Sequence, residues 1–257
     1  MIFSTLTNLR RIVVGVFLLS LLLGTRFAGS ACSDPPVPRV IWIGCDKRNA
    51  DLQGAQLDHA TLVRTNFTAA NLNEANLVEA DLSFVNLTAA HLDGARLSAA
   101  RLVGANLRQA SFVDARLDRA RMNRADLEAT RLIRAHLEGA SLYDAKARKA
   151  DLTSATLDGA ILEQADLREV NFSNATLRNV NLIQSNLQDA RLLGAVLENA
   201  RLDRALLSGA DFTAANLNHV TLVGADMSGA RLDKARLDNA IWMDRRRCKP
   251  GAVGECP

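Results

Sequence analysis

Aromatic side chains are scarce in this 257-residue chain: phenylalanine, tryptophan and tyrosine make up only 4% of it, although 48% is hydrophobic. A close-packed irregular core recruits more rings than that, so the apolar content must be organised in another way. An excess of one charge is missing as well. The formal +3 reflects 31 basic against 28 acidic residues, and three of the basic ones, Arg10, Arg11 and Arg26, fall in an N-terminal stretch with the marks of a removable leader. Without those three, the basic count equals the 28 acidic residues. A neutral chain is poorly suited to gripping polyanions non-specifically, so nucleic acid is not an expected partner, and it is equally poorly suited to imitating one. Signatures of catalysis are absent. His59, His91, His136 and His219 are scattered, serines have no base held opposite, and no glycine-rich loop leads into a helix. There is accordingly no catalytic, cofactor-binding or metal-ligating residue to name, and no cofactor is expected. The four cysteines lie near the ends, with no histidine beside them at metal-ligand spacing.

The first 31 residues have the parts of a secretory signal peptide: Arg10 and Arg11, an uncharged run from Ile12 to Gly24, then small residues before a cut. Thirteen residues from Ile12 to Gly24 span about 20 Å as a helix, short of a hydrocarbon core of about 30 Å. Cleavage is expected after Ser30 or Ala31, which places the mature chain in the periplasm or outside the cell. Membrane attachment is the alternative, through a retained leader or through lipid on Cys32. Gly29, however, stands where a lipoprotein box carries leucine.

What is present is a beat of five. Over residues 60–82, Leu62, Phe67, Leu72, Leu77 and Leu82 recur at every fifth place. Five helical steps advance about 140°, so on a helix this set would spiral around the rod. On a strand, an odd spacing throws successive members onto opposite faces. Burying all of them on one side requires the chain to turn a corner every five residues. The beat holds its phase from Leu52 to Trp242, 39 centres in all, of which 31 are leucine. Two places before the centre, alanine fills 32 of 39 positions, and Asn, Asp or Arg commonly stands between the two.

This A-(D/N/R)-L-x-x register over about 195 of the 257 residues resembles the pentapeptide-repeat family. The resemblance implies an all-β fold: a right-handed quadrilateral parallel β-helix, a solenoid of about ten square coils with four five-residue sides each. The residue chemistry asks for the same shape. A large centre residue points inward from the middle of a side, a small one points inward near the corner, and the remaining three positions face water. Coils stacked at strand spacing give a rod of about 45 Å. The expected organisation is a leader at 1–31, an N-terminal cap at 32–49 with Cys32 and Cys45, the repeats at 50–244, and a tail at 245–257 with Cys248 and Cys256. Bridged Cα atoms lie within about 7 Å, so cysteines at opposite ends of such a rod cannot pair. The predicted disulfides are Cys32–Cys45 and Cys248–Cys256. Trp42 and Trp242 fall on the beat at either end, where a coil would otherwise be uncovered.

Stacking residues twenty apart places Arg96 above Arg116 and, on the next face, Arg101 above Arg121. These four arginines are a candidate patch for an anionic ligand or partner. A neighbouring column is mainly acidic, with Asp118, Glu138 and Asp158. Val113, Ile133 and Leu193 share another outward column. The beat lapses once, at Ala147, beside Lys146, Arg148 and Lys149. The functional expectation is a non-catalytic, exported scaffold for a protein partner. The best-understood members of the family protect DNA gyrase by mimicking DNA with strongly acidic surfaces. This chain departs from them in its neutrality and its leader; an enzyme is a second alternative, disfavoured by the absence of catalytic signatures.

Overall fold

Backbone conformation repeats every five residues from Ile41 to Ile241 in the computed structural model, which describes residues 32–256. The leader assigned to residues 1–31 lies outside the described residues. In each unit the residue before the centre forms a parallel bridge to the residue twenty positions on, from Ile41 with Thr61 through to Thr221 with Ile241. The two residues after the centre turn the chain. The second of them takes a positive φ, as at Asn49 (55°), Arg64 (57°) and Glu79 (56°). A β-turn with its third residue in this left-handed region is type II, and it is closed here by bonds such as Ala55 N–H to the Leu52 carbonyl at 3.0 Å.

Hydrogen bonding explains why Asn and Asp precede so many centres. The centre N–H donates to the next coil, as Leu52 does to the Asn71 carbonyl at 2.7 Å, and the turn N–H of Gly54 donates to the Asn73 carbonyl at 2.8 Å. The return bond runs from Asn71 N–H to the Ala50 carbonyl at 2.9 Å. One N–H per unit is left over by this ladder, that of the residue just after the centre. An Asn or Asp two places earlier accepts it: Thr68 N–H donates to Asn66 Oδ1 at 3.1 Å and Ser83 N–H to Asp81 Oδ1 at 3.0 Å. Elsewhere a side chain one coil away does the same, as Asp203 Oδ1 does for Val223 N–H at 3.0 Å. These local side-chain acceptors answer an otherwise unpaired donor.

Centres and alanines face inward and are buried along the rod. Burial of each leucine is worth about 1.5–3 kcal/mol, and each coil supplies the apolar surface for the next. Three polar residues occupy the small inward place, and each hydroxyl has an acceptor. Thr65 donates to the Trp42 carbonyl, Thr130 to the Leu107 carbonyl at 2.8 Å, and Ser185 to the Leu182 carbonyl at 2.7 Å.

The two ends are closed differently. At the N-terminal end the regular backbone already begins at Ile41, before the leucine beat, with Trp42 fully buried. Lys47 takes a centre position. Its ammonium lies 3.8 Å from the Trp42 ring centre and donates to the Cys32 carbonyl at 2.7 Å. Burial pushes its pKa down from the ordinary lysine value. Cys32 and Cys45 are bonded, with Cα atoms 5.4 Å apart. At the other end the tail reverses direction, and its two bridges, Ile241 with Arg247 and Arg236 with Val253, are antiparallel. Trp242 N–H donates to the Arg246 carbonyl at 2.8 Å and Leu237 N–H to the Ala252 carbonyl at 2.9 Å. The Cys248–Cys256 disulfide ties this tail, with Cα atoms 4.9 Å apart. Two sides of the last coil stay outside the cover, and Met227 and Leu232 are only partly buried.

Candidate interaction surface

Outward positions carry whatever this rod shows to the outside, and the charges on them are stacked in bridged columns. Bridged neighbours of opposite charge are common: Asp81 with Arg101, Asp126 with Lys146, Arg131 with Asp151, Lys146 with Asp166, Arg191 with Asp211, and Asp211 with Arg231. Such cross-strand pairs are mildly stabilising, whereas like charges set opposite one another are destabilising. Among the described residues only two bridges join full charges of the same sign, Arg96 with Arg116 and Arg101 with Arg121. They lie side by side on adjacent faces. All four arginines are exposed.

A fifth arginine that the sequence reading passed over, Arg119, sits in the turn between Arg116 and Arg121 and is exposed too. Among the described residues, Arg96, Arg101, Arg119 and Arg121 have no carboxylate within ion-pair distance. Arg116 reaches Asp118 only at 3.9 Å, and that carboxylate already accepts from the Ser98 hydroxyl at 2.7 Å. Arginine also cannot perform the duty that Asn and Asp perform at this place, because it has no acceptor. The N–H groups of Ser98, Val103, Asp118 and Asn123 accordingly have no protein acceptor among the described residues. These arginines therefore add nothing to turn closure and repel one another across the bridges.

The other basic cluster has a different character. Around Ala147, a shallow groove of about 340 Å³ is lined by Arg108, Asp126, Glu128, Lys146, Arg148, Asp166 and Arg168. Its arginines are spent on neighbours: Arg108 on Glu128 at 2.5 Å, Arg168 on Asp166 at 2.5 Å, and Arg148 on Glu169 at 2.6 Å. The Arg168 guanidinium holds Asp166 below the usual carboxylate range, and the Arg148 guanidinium does the same for Glu169. This groove is a self-neutralising wall. Ala147 beneath it is buried between Leu127 and Leu167 of the adjoining coils, and its backbone keeps the regular bond, donating to the Asp166 carbonyl at 2.8 Å. The frame at this position is undistorted, and its side chain is smaller than the leucines on either side. Ala147→Leu is expected to raise the melting temperature with an unchanged circular-dichroism spectrum, recovering part of the about 2–5 kcal/mol that large-to-small core changes cost. A clear fall in melting temperature would show that Leu127 and Leu167 already fill the slot.

The histidines stay apart, although His59 and His136 each approach a carboxylate, Glu79 and Glu138, at 3.4 Å. No group of three or more potential metal ligands comes together among the described residues. Val113 and Ile133 are half-buried and Leu193 is 41% exposed, which leaves their column without a continuous apolar stripe.

A family model described as pentapeptide repeats matches the chain in eight overlapping copies between residues 50 and 241. No curated protein matches it. Among solved structures, the chain is similar to HetL from the cyanobacterium Nostoc sp. strain PCC 7120, described as involved in heterocyst differentiation regulation. The two share 34% identity over 78% of this chain and 94% of HetL, with a TM-score of 0.40. It is also similar to Rfr23 from the cyanobacterium Cyanothece 51142, at 38% identity over 37% of this chain and 66% of that one, with a TM-score of 0.37. Full-length QnrB1, a plasmid-mediated fluoroquinolone resistance protein, shares 18% identity over 79% of this chain and 93% of its own, with a TM-score of 0.44.

Proposed function

This chain belongs to the pentapeptide-repeat family, whose members form right-handed β-helices, and from that premise we propose that it is a non-catalytic, exported scaffold: a quadrilateral rod of about ten coils that binds a protein partner through its arginine patch. The observation that carries the reading is the pair of like-charged bridges, Arg96 with Arg116 and Arg101 with Arg121, set side by side in a wall whose other charged bridges are complementary. Fold stability disfavours that arrangement, and a bound anionic surface would relieve it. Export is supported by the leader's composition and by two cystine-closed ends, since disulfides persist in oxidising compartments.

The test uses the full chain expressed with a C-terminal tag and recovered from the periplasm. Its intact mass is expected to begin at Ala31 or Cys32; a mass retaining Met1 would sink the export half of the proposal. Proteins retained by the wild type should be lost from Arg101→Gln with Arg121→Gln, while the melting midpoint stays within about 2 °C, because exposed substitutions away from caps and core change stability by only about 0.5 kcal/mol. Identical retention by both proteins would return the patch to an ordinary solvated wall.

A further inference from the structure

One turn position breaks the rule that the others follow. The last residue of each unit, in the left-handed conformation, is glycine, alanine or a polar residue at every place from Asn49 to Asn239 except Phe84, whose φ is 58°. Its ring is not drawn into the core. Phe84 is 57% exposed, more than any other large hydrophobic residue among those described.

The surroundings of the ring are built to hold it there. One coil further on stands Gly104, with a φ of +64°, where an added Cβ would lie 2.7 and 2.8 Å from two ring carbons. The missing side chain at Gly104 is what lets the ring rest against the backbone. On the other side, the Arg64 guanidinium carbon lies 5.9 Å from the ring centre, within cation–π range. Gly104 closes the very unit that carries Arg101, so the ring borders the arginine patch. Arg124 continues the turn column beyond it.

We propose that Phe84 is the apolar anchor of the arginine patch, and that the patch receives an acidic segment of a partner protein carrying an apolar side chain among its carboxylates. The inference rests on the interaction-surface reading above and names the partner's chemistry. Guanidinium forks match carboxylates in geometry, and a rigid aromatic beside arginines is the composition that concentrates binding energy at protein interfaces. The patch is short. Asp81 bridges to Arg101 at one edge and Asp118 adjoins Arg116, so there is room for a few carboxylates and no long basic track for a polynucleotide backbone.

The experiment measures fluorescence anisotropy of the full mature chain at low salt with two labelled peptides, hexaglutamate and the same peptide interrupted by leucines. Wild type is expected to prefer the leucine-containing peptide by about tenfold, the scale of one well-placed anchor. Phe84→Ala should erase that preference while leaving hexaglutamate binding and the melting midpoint unchanged. Gly104→Ala should erase the preference too, by displacing the ring, with a small fall in the melting midpoint from the positive φ; the fold tolerates alanine in this turn conformation at Ala69, Ala89 and Ala99, with φ of 55°, 54° and 57°. Arg101→Glu with Arg121→Glu should abolish binding of both peptides. If that double variant binds both peptides as wild type does, the interaction-surface reading itself falls. If it loses them but Phe84→Ala keeps the leucine preference, only the anchor falls. A lowered melting midpoint in Phe84→Ala with binding intact would make the ring a packing element and overturn the proposal. So would tighter binding of a single-stranded DNA oligonucleotide or of phosphatidylglycerol vesicles, or no binding of either peptide.

Discussion

Phe112→Ala is expected to destabilise the rod by about 4 kcal/mol, the middle of the about 3–5 kcal/mol that a buried phenylalanine truncation costs. The reason lies in what cannot move. Phe112 is 1% exposed, and the coils on either side of it are held at fixed spacing by backbone bonds: Phe112 N–H to the Arg131 carbonyl at 2.7 Å, and Leu92 N–H to the Ser111 carbonyl at 2.7 Å. A globular core can partly collapse into a new void, but here the ladder keeps the neighbouring coils apart and the cavity persists. Urea unfolding of the variant should show a lower midpoint with an unchanged m-value. A loss under about 1 kcal/mol would mean that the side chains repack freely inside the frame.

Cys248→Ser with Cys256→Ser should cost about 2–3 kcal/mol, the loop-closure scale for a bridge of sequence separation 8. The effect should be local. The tail covers only two sides of the last coil, through the bonds from Leu237 N–H to the Ala252 carbonyl and from Trp242 N–H to the Arg246 carbonyl. Once the tail detaches, Leu237 and Trp242 join Met227 and Leu232 at an open end. Hydrogen exchange is the measurement: the amides of Leu237 and Trp242 should exchange faster, while those of Leu97 and Leu117 keep their protection. Equal acceleration at Leu97 would show that the rod opens as one unit and that the tail does not act as a separate cap.

The interior was legible in the sequence because size and period together leave one solution. Leucine and alanine alternate in a register that only a corner every five residues can bury, and the bridges from Ile41 to Ile241 follow that register without a slip. The arginine columns were legible for the same reason, since residues twenty apart must stack. The antiparallel return of residues 245–256 was not, because the tail carries no beat and its course depends on contacts with Ala235 and Ala240 that no periodicity announces. Phe84 was missed for a different reason. It occupies an outward place, and an exposed phenylalanine is unremarkable on composition alone; its setting emerges only when Gly104 and Arg64 are brought beside it. Listing the turn residues in register would have singled it out. Arg119 shows the limit of reading columns one at a time, since it belongs to the patch by adjacency across a corner.

The pairing of each residue with the one twenty places on also acts as a gear. Duplicating a single five-residue unit anywhere between Arg101 and Arg116 would leave every side able to form and the interior filled, yet it would advance everything downstream by one face. Arg116 would then meet Arg101 in place of Arg96, Arg121 would face Asn106, and the two side-by-side like-charged pairs would be reduced to one without any loss of folding. Only duplications in steps of twenty keep the faces aligned. Repeat number in this chain is thus free to drift as far as stability is concerned, while a surface written across two coils can be inherited only in whole revolutions.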